Sequence, residues 1–73
     1  MVLKDLPMGA SATVKAVTRD NPASRRLMEM GVVPGVSIRM VKTAPFGDPI
    51  EIRLRGYNLA IRKSEAEAIE VNE

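Results

Sequence analysis

The sequence predicts a mainly β fold, a small barrel of about five short strands with one amphipathic helix after the first strand and a short helical turn before the last. Short segments alternate apolar and polar residues, which is the two-residue period of a half-buried strand. Turn-forming residues separate these segments at short intervals. A chain of 73 residues has a thin core, so strands this short bury enough apolar surface only if the sheet curls on itself.

The first strand is predicted over residues 11–18, where apolar and polar residues alternate loosely. Its core side should carry Ala12, Val14 and Ala16. Three apolar residues lie upstream, and we expect them to cover one edge of the core: Leu3, Leu6 and Met8.

A helix is predicted over residues 22–30, because Asn21 suits an N-cap and Pro22 suits the first helical position. Its core-directed side chains should be Ala23, Leu27 and Met30. The opposite face should carry Ser24, Arg25 and Glu29, and the last two could form an ion pair. Gly31 stands where a left-handed residue is needed to end the helix.

The second and third strands are predicted as a hairpin that follows a turn at Pro34 and Gly35. Proline at the second and glycine at the third position of that turn fit a type II turn. Residues 36–44 and 49–55 both alternate, and residues 45–48 turn the chain between them. A further turn at residues 56–58 leads to a fourth strand that continues the apolar row with Leu59 and Ile61.

The chain should close with one helical turn and a last short strand. Ser64 and Glu67 have the spacing of a capping box, and residues 69–71 form the strand. We expect this strand to pair with the first one and the helix to plug an open end of the barrel. The sequence therefore predicts one SH3-like barrel domain over residues 1–73.

The composition argues against catalysis and against a transition-metal site. The chain has no cysteine and no histidine, which removes the commonest nucleophile, general base and soft metal ligands. We therefore predict no enzyme activity and no catalytic, cofactor-binding or metal-ligating residue. The five methionines are best explained as flexible core filling. No apolar stretch approaches the roughly 20 residues of a membrane span, so a cytoplasmic protein without membrane insertion is expected.

Charge is distributed unevenly along the chain. Residues 36–63 carry six basic side chains against two acidic ones, whereas residues 64–73 carry four glutamates and no basic residue. Four arginines could share an outward basic face of the hairpin: Arg39, Arg53, Arg55 and Arg62. We interpret this face as a solvated surface, with binding to nucleic-acid phosphates as the alternative. Nucleic acid is not the expected partner, because the aromatic residues on which bases stack are nearly absent.

The order of motifs resembles that of the FeoA family of bacterial ferrous-iron-transport accessory proteins. The pattern L-x-x-L-x-x-G is present as Leu3, Leu6 and Gly9. The pattern R-R-L-x-x-M-G is present as Arg25, Arg26, Leu27, Met30 and Gly31. The segment V-V-P-G-V then carries Pro34 and Gly35 and is followed by the hairpin. The resemblance spans residues 3–71 and rests on the combined order of these motifs.

The resemblance implies a cytoplasmic adaptor or regulator that contacts FeoB, the membrane ferrous-iron transporter that carries a GTP-binding domain. The candidate docking residues are Arg25, Arg26 and Met28, because they lie beside or outside the core face of the helix. The family also implies transition-metal binding, and its fold is similar to the C-terminal domain of diphtheria-toxin-repressor-like regulators. A metal-sensing module is therefore a further alternative. The sequence does not predict an oligomeric state.

Overall fold

The computed structural model describes residues 1–72, and its regular elements follow the predicted order. The strands are β1 (Ser11–Val17), β2 (Ser37–Thr43), β3 (Ile50–Leu54), β4 (Tyr57–Ile61) and β5 (Ile69–Asn72). The α-helices are α1 (Pro22–Glu29), between β1 and β2, and the short α2 (Lys63–Ala66), before β5. A 3-10 turn at Leu3–Asp5 precedes β1 and was not predicted.

The five strands form one antiparallel sheet in the order β4-β3-β2-β1-β5. The predicted pairing of the first and last strands is confirmed, since Val14 lies opposite Val71 and Val17 lies opposite Ile69. A register shift follows Val14 and leaves Ala16 half-buried. A second shift interrupts the pairing of β2 with β3 just after Met40. Such bulges bend a strand and increase its twist, which helps so short a sheet to curl.

Alternation places most of the large aliphatic side chains of the strands inside the curled sheet. The largest fully buried side chains are Leu3, Leu27, Ile38, Met40, Ile52, Leu54, Ile61, Ile69, Val14, Val32 and Val71. Neither aromatic residue belongs to this core. Phe46 is 98% exposed and Tyr57 is 39% exposed. The mainly β, SH3-like class predicted from the strand pattern is confirmed by this architecture.

Helix α1 begins as the sequence predicts, but its buried side is rotated toward Ser24. The Asn21 side chain accepts a hydrogen bond from the Ser24 backbone N–H at 2.8 Å, which is an N-cap. Leu27 is fully buried and Ser24 is 3% exposed, whereas Ala23 is exposed. The prediction that Ala23 faces the core and Ser24 faces solvent was therefore wrong. Ser24 and Leu27 lie three residues apart on one helix face. The Ser24 side chain is small enough to fit beside α2.

Two further expectations about the loops were wrong. Met8 does not cover the core and is 50% exposed, because the chain turns at Gly9, whose φ is +81°. The turn between β3 and β4 consists of Arg55 and Gly56, with φ of +47° and +84°, so Tyr57 already belongs to β4. Two successive positive φ values are characteristic of the type I′ hairpin turn.

Candidate protein-docking surface

Glu65 ties the start of α2 to α1. Its side chain is 7% exposed. Its Oε1 accepts a hydrogen bond from the Arg62 backbone N–H at 2.7 Å, and Arg26 Nη2 lies 3.4 Å from its Oε2. The predicted capping pair of Ser64 and Glu67 was wrong, because β4 ends at Ile61 and α2 begins two residues earlier than that pair requires. Glu65 therefore caps the helix as its third residue.

The three candidate docking residues lie on the exposed part of α1, but two of them have intramolecular partners. Arg25 Nε lies 3.0 Å from Asp20 Oδ1, so the suggested pair with Glu29 is replaced by one with the preceding loop. Arg26 turns toward Glu65 and is still 58% exposed. Met28 is 36% exposed. The exposed pair of Arg25 with Asp20 contributes at most about 1 kcal/mol, and Arg26 is more than half exposed although Glu65 is buried. A partner could therefore compete for either guanidinium.

The C-terminus of α1 is held to the sheet by a different set of contacts. The Tyr57 hydroxyl donates to the Met30 carbonyl oxygen. Gly31, with φ of +108°, lies beneath this contact, and a Cβ there would stand 3.5 Å from Leu54 Cδ1. Met30 is half-buried against the core. Helix α1 is therefore attached to the start of β4 through Tyr57 and to α2 through Glu65.

A groove of about 440 Å³ lies where α1, β4 and α2 meet. Its lining residues are Arg26, Asp48, Pro49, Ala60, Ile61, Arg62 and Glu65. Asp48 already accepts a hydrogen bond from the Lys63 backbone N–H at 2.9 Å. Both carboxylates of the groove are thus satisfied within the chain, while the Arg62 guanidinium has no ion-pair partner among residues 1–72. The groove can therefore receive an acidic group.

The structure brings together only part of the predicted basic face. Arg39 and Arg53 lie directly opposite each other on β2 and β3, and both line a second groove of about 240 Å³. Arg53 also donates to Asn58 Oδ1 at 3.1 Å. Arg55 lies in the β3–β4 turn, and Arg62 lines the groove beside α1 instead. The four arginines therefore do not form one continuous patch.

Sequence reasoning missed Glu65, Ala60 and Tyr57. The position of Glu65 could have been found from the apolar row of β4, because a strand ending at Ile61 makes Arg62 the N-cap. The exposed edge of β4 at Ala60 and the contact of Tyr57 with α1 depend on tertiary packing and have no local signal. Within residues 1–72, no three acidic, histidine or cysteine side chains are grouped as metal ligands.

The fold and this surface together define a small SH3-like barrel with an added helix beside one sheet edge. A model described as the FeoA domain matches residues 1–73, and the chain belongs to the FeoA family. This family is linked to ferrous iron transport. Among residues 1–72, no helix is both long and apolar enough to cross a membrane.

Three similar proteins show the range of the family. A curated Fe(2+) transport protein A/Fe(2+) transporter FeoB fusion protein of Porphyromonas gingivalis is 37% identical over 71 residues, which cover 97% of this chain and 8% of the fusion. The solution structure of FeoA from Chlorobium tepidum is 41% identical, with a TM-score of 0.90, over 97% of this chain and 68% of that one. The crystal structure of Stenotrophomonas maltophilia FeoA complexed with zinc is 38% identical, with a TM-score of 0.85, and the match covers 99% of this chain and 89% of that one.

Proposed function

We propose that this chain is a non-catalytic cytoplasmic adaptor that regulates ferrous iron uptake by contacting the cytoplasmic GTP-binding region of FeoB. The observation that carries this proposal is the similar sequence in Porphyromonas gingivalis, in which the FeoA-like part and the FeoB transporter form one protein. Fusion of two chains raises their effective concentration and is useful when the two parts work together.

The docking surface is assigned to the exposed side of α1. Arg25 and Met28 present a cation and a flexible apolar side chain next to each other, and methionine adapts well to a partner surface. Arg26 extends the cationic side toward the groove. The paired Arg39 and Arg53 support a nucleic-acid role less well, because the other two arginines of that predicted face lie elsewhere.

Titration of the chain with the isolated GTP-binding domain of FeoB tests the proposal. Arg25→Glu and Met28→Asp should each weaken binding by about tenfold, as expected for exposed anchors that are not buried in the free protein. Lys15→Glu, on β1, changes the charge by the same amount as Arg25→Glu and should leave the affinity within about twofold. Arg26 is left unchanged in this series because its substitution would also disturb buried Glu65.

Two results would remove α1 from the interface. One is undiminished binding by both α1 variants, and the other is an equal loss in the Lys15→Glu control. Absence of any binding by the wild-type chain, with a folded FeoB domain, would contradict the adaptor function itself.

A further inference from the structure

The two edges of the sheet differ in how their backbone groups are satisfied. The outer edge of β5 is covered by the start of the chain, since Val2 forms a bridge with Glu70 and the Val71 N–H donates to the Met1 carbonyl at 2.8 Å. Strand β4 is the other edge. No strand of residues 1–72 pairs with its outer side, and an edge of this kind is a template for a further strand.

The ladder between β3 and β4 fixes which groups of β4 point outward. The two-residue turn makes Leu54 and Tyr57 a hydrogen-bonded pair, and bonded and non-bonded pairs then alternate along the regular register. Leu59 and Ile61 therefore bond to β3, whereas the N–H and C=O groups of Asn58 and Ala60 point away from it. Together these two residues offer two donors and two acceptors.

The next residue along the same edge confirms this alternation. The Arg62 N–H also points away from β3 and donates to Glu65 Oε1 at 2.7 Å. The Arg62 carbonyl accepts a hydrogen bond from the Glu65 N–H at 2.9 Å. Helix α2 thus satisfies the edge at Arg62 and stops there. The edge at Asn58 and Ala60 is left for another partner.

The groove beside α1 supplies the chemistry that selects this partner. Ala60 and Arg62 line the groove from the β4 side, and Arg26 lines it from the α1 side. Arg62 and Lys63 are exposed, and the carboxylates of Asp48 and Glu65 are occupied by backbone N–H groups. The exposed charged side chains that line the groove are two arginines, Arg26 and Arg62, and one carboxylate, Asp48. The net exposed charge is therefore positive by one, which complements acidic side chains.

We propose that an extended, acidic segment of a partner protein adds to the edge of β4 as a sixth strand, with its carboxylates on Arg26 and Arg62. In this mode the backbone of the segment pairs with Asn58 and Ala60, and the arginines decide which sequence is accepted. The inference rests on the proposed function, for which it supplies the manner of docking. The contact between Tyr57 and Met30 bounds one end of the free edge, and the start of α2 bounds the other.

The variant Ala60→Pro tests strand addition directly. Proline removes one outward N–H and blocks the approach of a strand, yet it keeps the bonds between β3 and β4, because the Ala60 N–H does not take part in them. The affinity of the chain for the FeoB GTP-binding domain should fall at least about tenfold. The matched variant Ala60→Thr retains the N–H and has a β-preferring side chain, so its loss of affinity should be much smaller than that of Ala60→Pro.

Amide hydrogen exchange gives a readout that does not depend on the proline variant being well folded. In the wild-type chain, exchange at Asn58 and Ala60 should slow at least about tenfold when the FeoB domain is added. Binding without this protection, or unchanged binding by folded Ala60→Pro, would refute strand addition and leave the adaptor function standing. Protection that rises with the chain's own concentration would assign the edge to a second copy and also refute it. If the wild type does not bind the FeoB domain, the adaptor function fails and the strand mode fails with it.

Discussion

Replacing Glu65 by alanine is the most informative perturbation of this fold. One buried carboxylate accepts the Arg62 N–H at 2.7 Å through one oxygen and faces Arg26 Nη2 at 3.4 Å through the other. Alanine removes both contacts. It leaves the part-buried backbone N–H of Arg62, at the start of α2, without its acceptor in the protein. Comparison with Arg26→Ala, which removes only the second contact, therefore separates a backbone role of Glu65 from an ion-pair role.

The geometry indicates that the backbone contact dominates. Loss of an N-terminal cap costs about 0.5–2 kcal/mol, and an unsatisfied buried donor costs about 1–3 kcal/mol. These two figures describe the same bond, so we expect about 2 kcal/mol from it. The pair with Arg26 adds at most about 1 kcal/mol, because Arg26 is 58% exposed and the contact is long. A loss of about 2 kcal/mol lowers the Tm of a domain this size by about 8–16 °C.

Thermal and urea unfolding of three variants measures how the loss of unfolding free energy divides between the backbone contact and the ion pair. Glu65→Ala should lose about 2–3 kcal/mol of unfolding free energy, while Arg26→Ala should lose at most about 1 kcal/mol. Glu65→Gln is the matched control, because its amide oxygen can still accept the Arg62 N–H, and it should lose less than Glu65→Ala. The reasoning is refuted if Arg26→Ala is as destabilising as Glu65→Ala, or if Glu65→Gln is no better than alanine.

Two other substitutions address the hairpin turns. Arg55→Asn should raise the unfolding free energy by about 0.5–1 kcal/mol, because Arg55 has a φ of +47° and asparagine tolerates this region better; a melting temperature that does not rise would contradict the assigned turn. Phe46→Ser should change the unfolding free energy by less than about 0.5 kcal/mol in urea titrations, because a side chain 98% exposed has almost no packing to lose. A loss of more than about 1 kcal/mol would mean that Phe46 packs against the chain in solution.

The strands could be predicted because each one repeats its apolar residues with a period of two. In β3 the buried residues are Ile50, Ile52 and Leu54, and the polar residues between them are partly or fully exposed. The Asn21–Pro22 start of α1 was predictable for a similar reason, since the cap is a local interaction. Local periodicity thus carries most of the information about this fold.

The remaining errors arise where tertiary packing overrides local pattern. Ser24 is buried and Ala23 is not, because the helix is rotated so that Ser24 shares the buried face with Leu27. Hydrophobicity alone ranks these two residues the other way. The rotation of the helix about its axis decides the outcome, and this rotation cannot be deduced from the sequence of an eight-residue helix.

The candidate site was less predictable than the fold. Alternation predicts that an arginine lies on the outward side of a strand, but it does not predict which other side chains surround it. Arg62 was therefore grouped with Arg39 and Arg53, although it lies beside α1. The predicted docking residues of α1 are exposed, but their internal partners Asp20 and Glu65 depend on the tertiary fold. An open strand edge is likewise a property of the assembled sheet, since every strand has the same local pattern.

Tyr57 makes the chain its own spectroscopic probe. It is the one tyrosine of a sequence that has no tryptophan, so fluorescence excited at wavelengths that phenylalanine does not absorb arises from a single known place. That place is the junction of α1 with β4, where the phenol hydroxyl donates to the Met30 carbonyl. A movement of the helix away from the sheet would change the surroundings of this ring. Unlabelled protein can therefore be used to time such a movement.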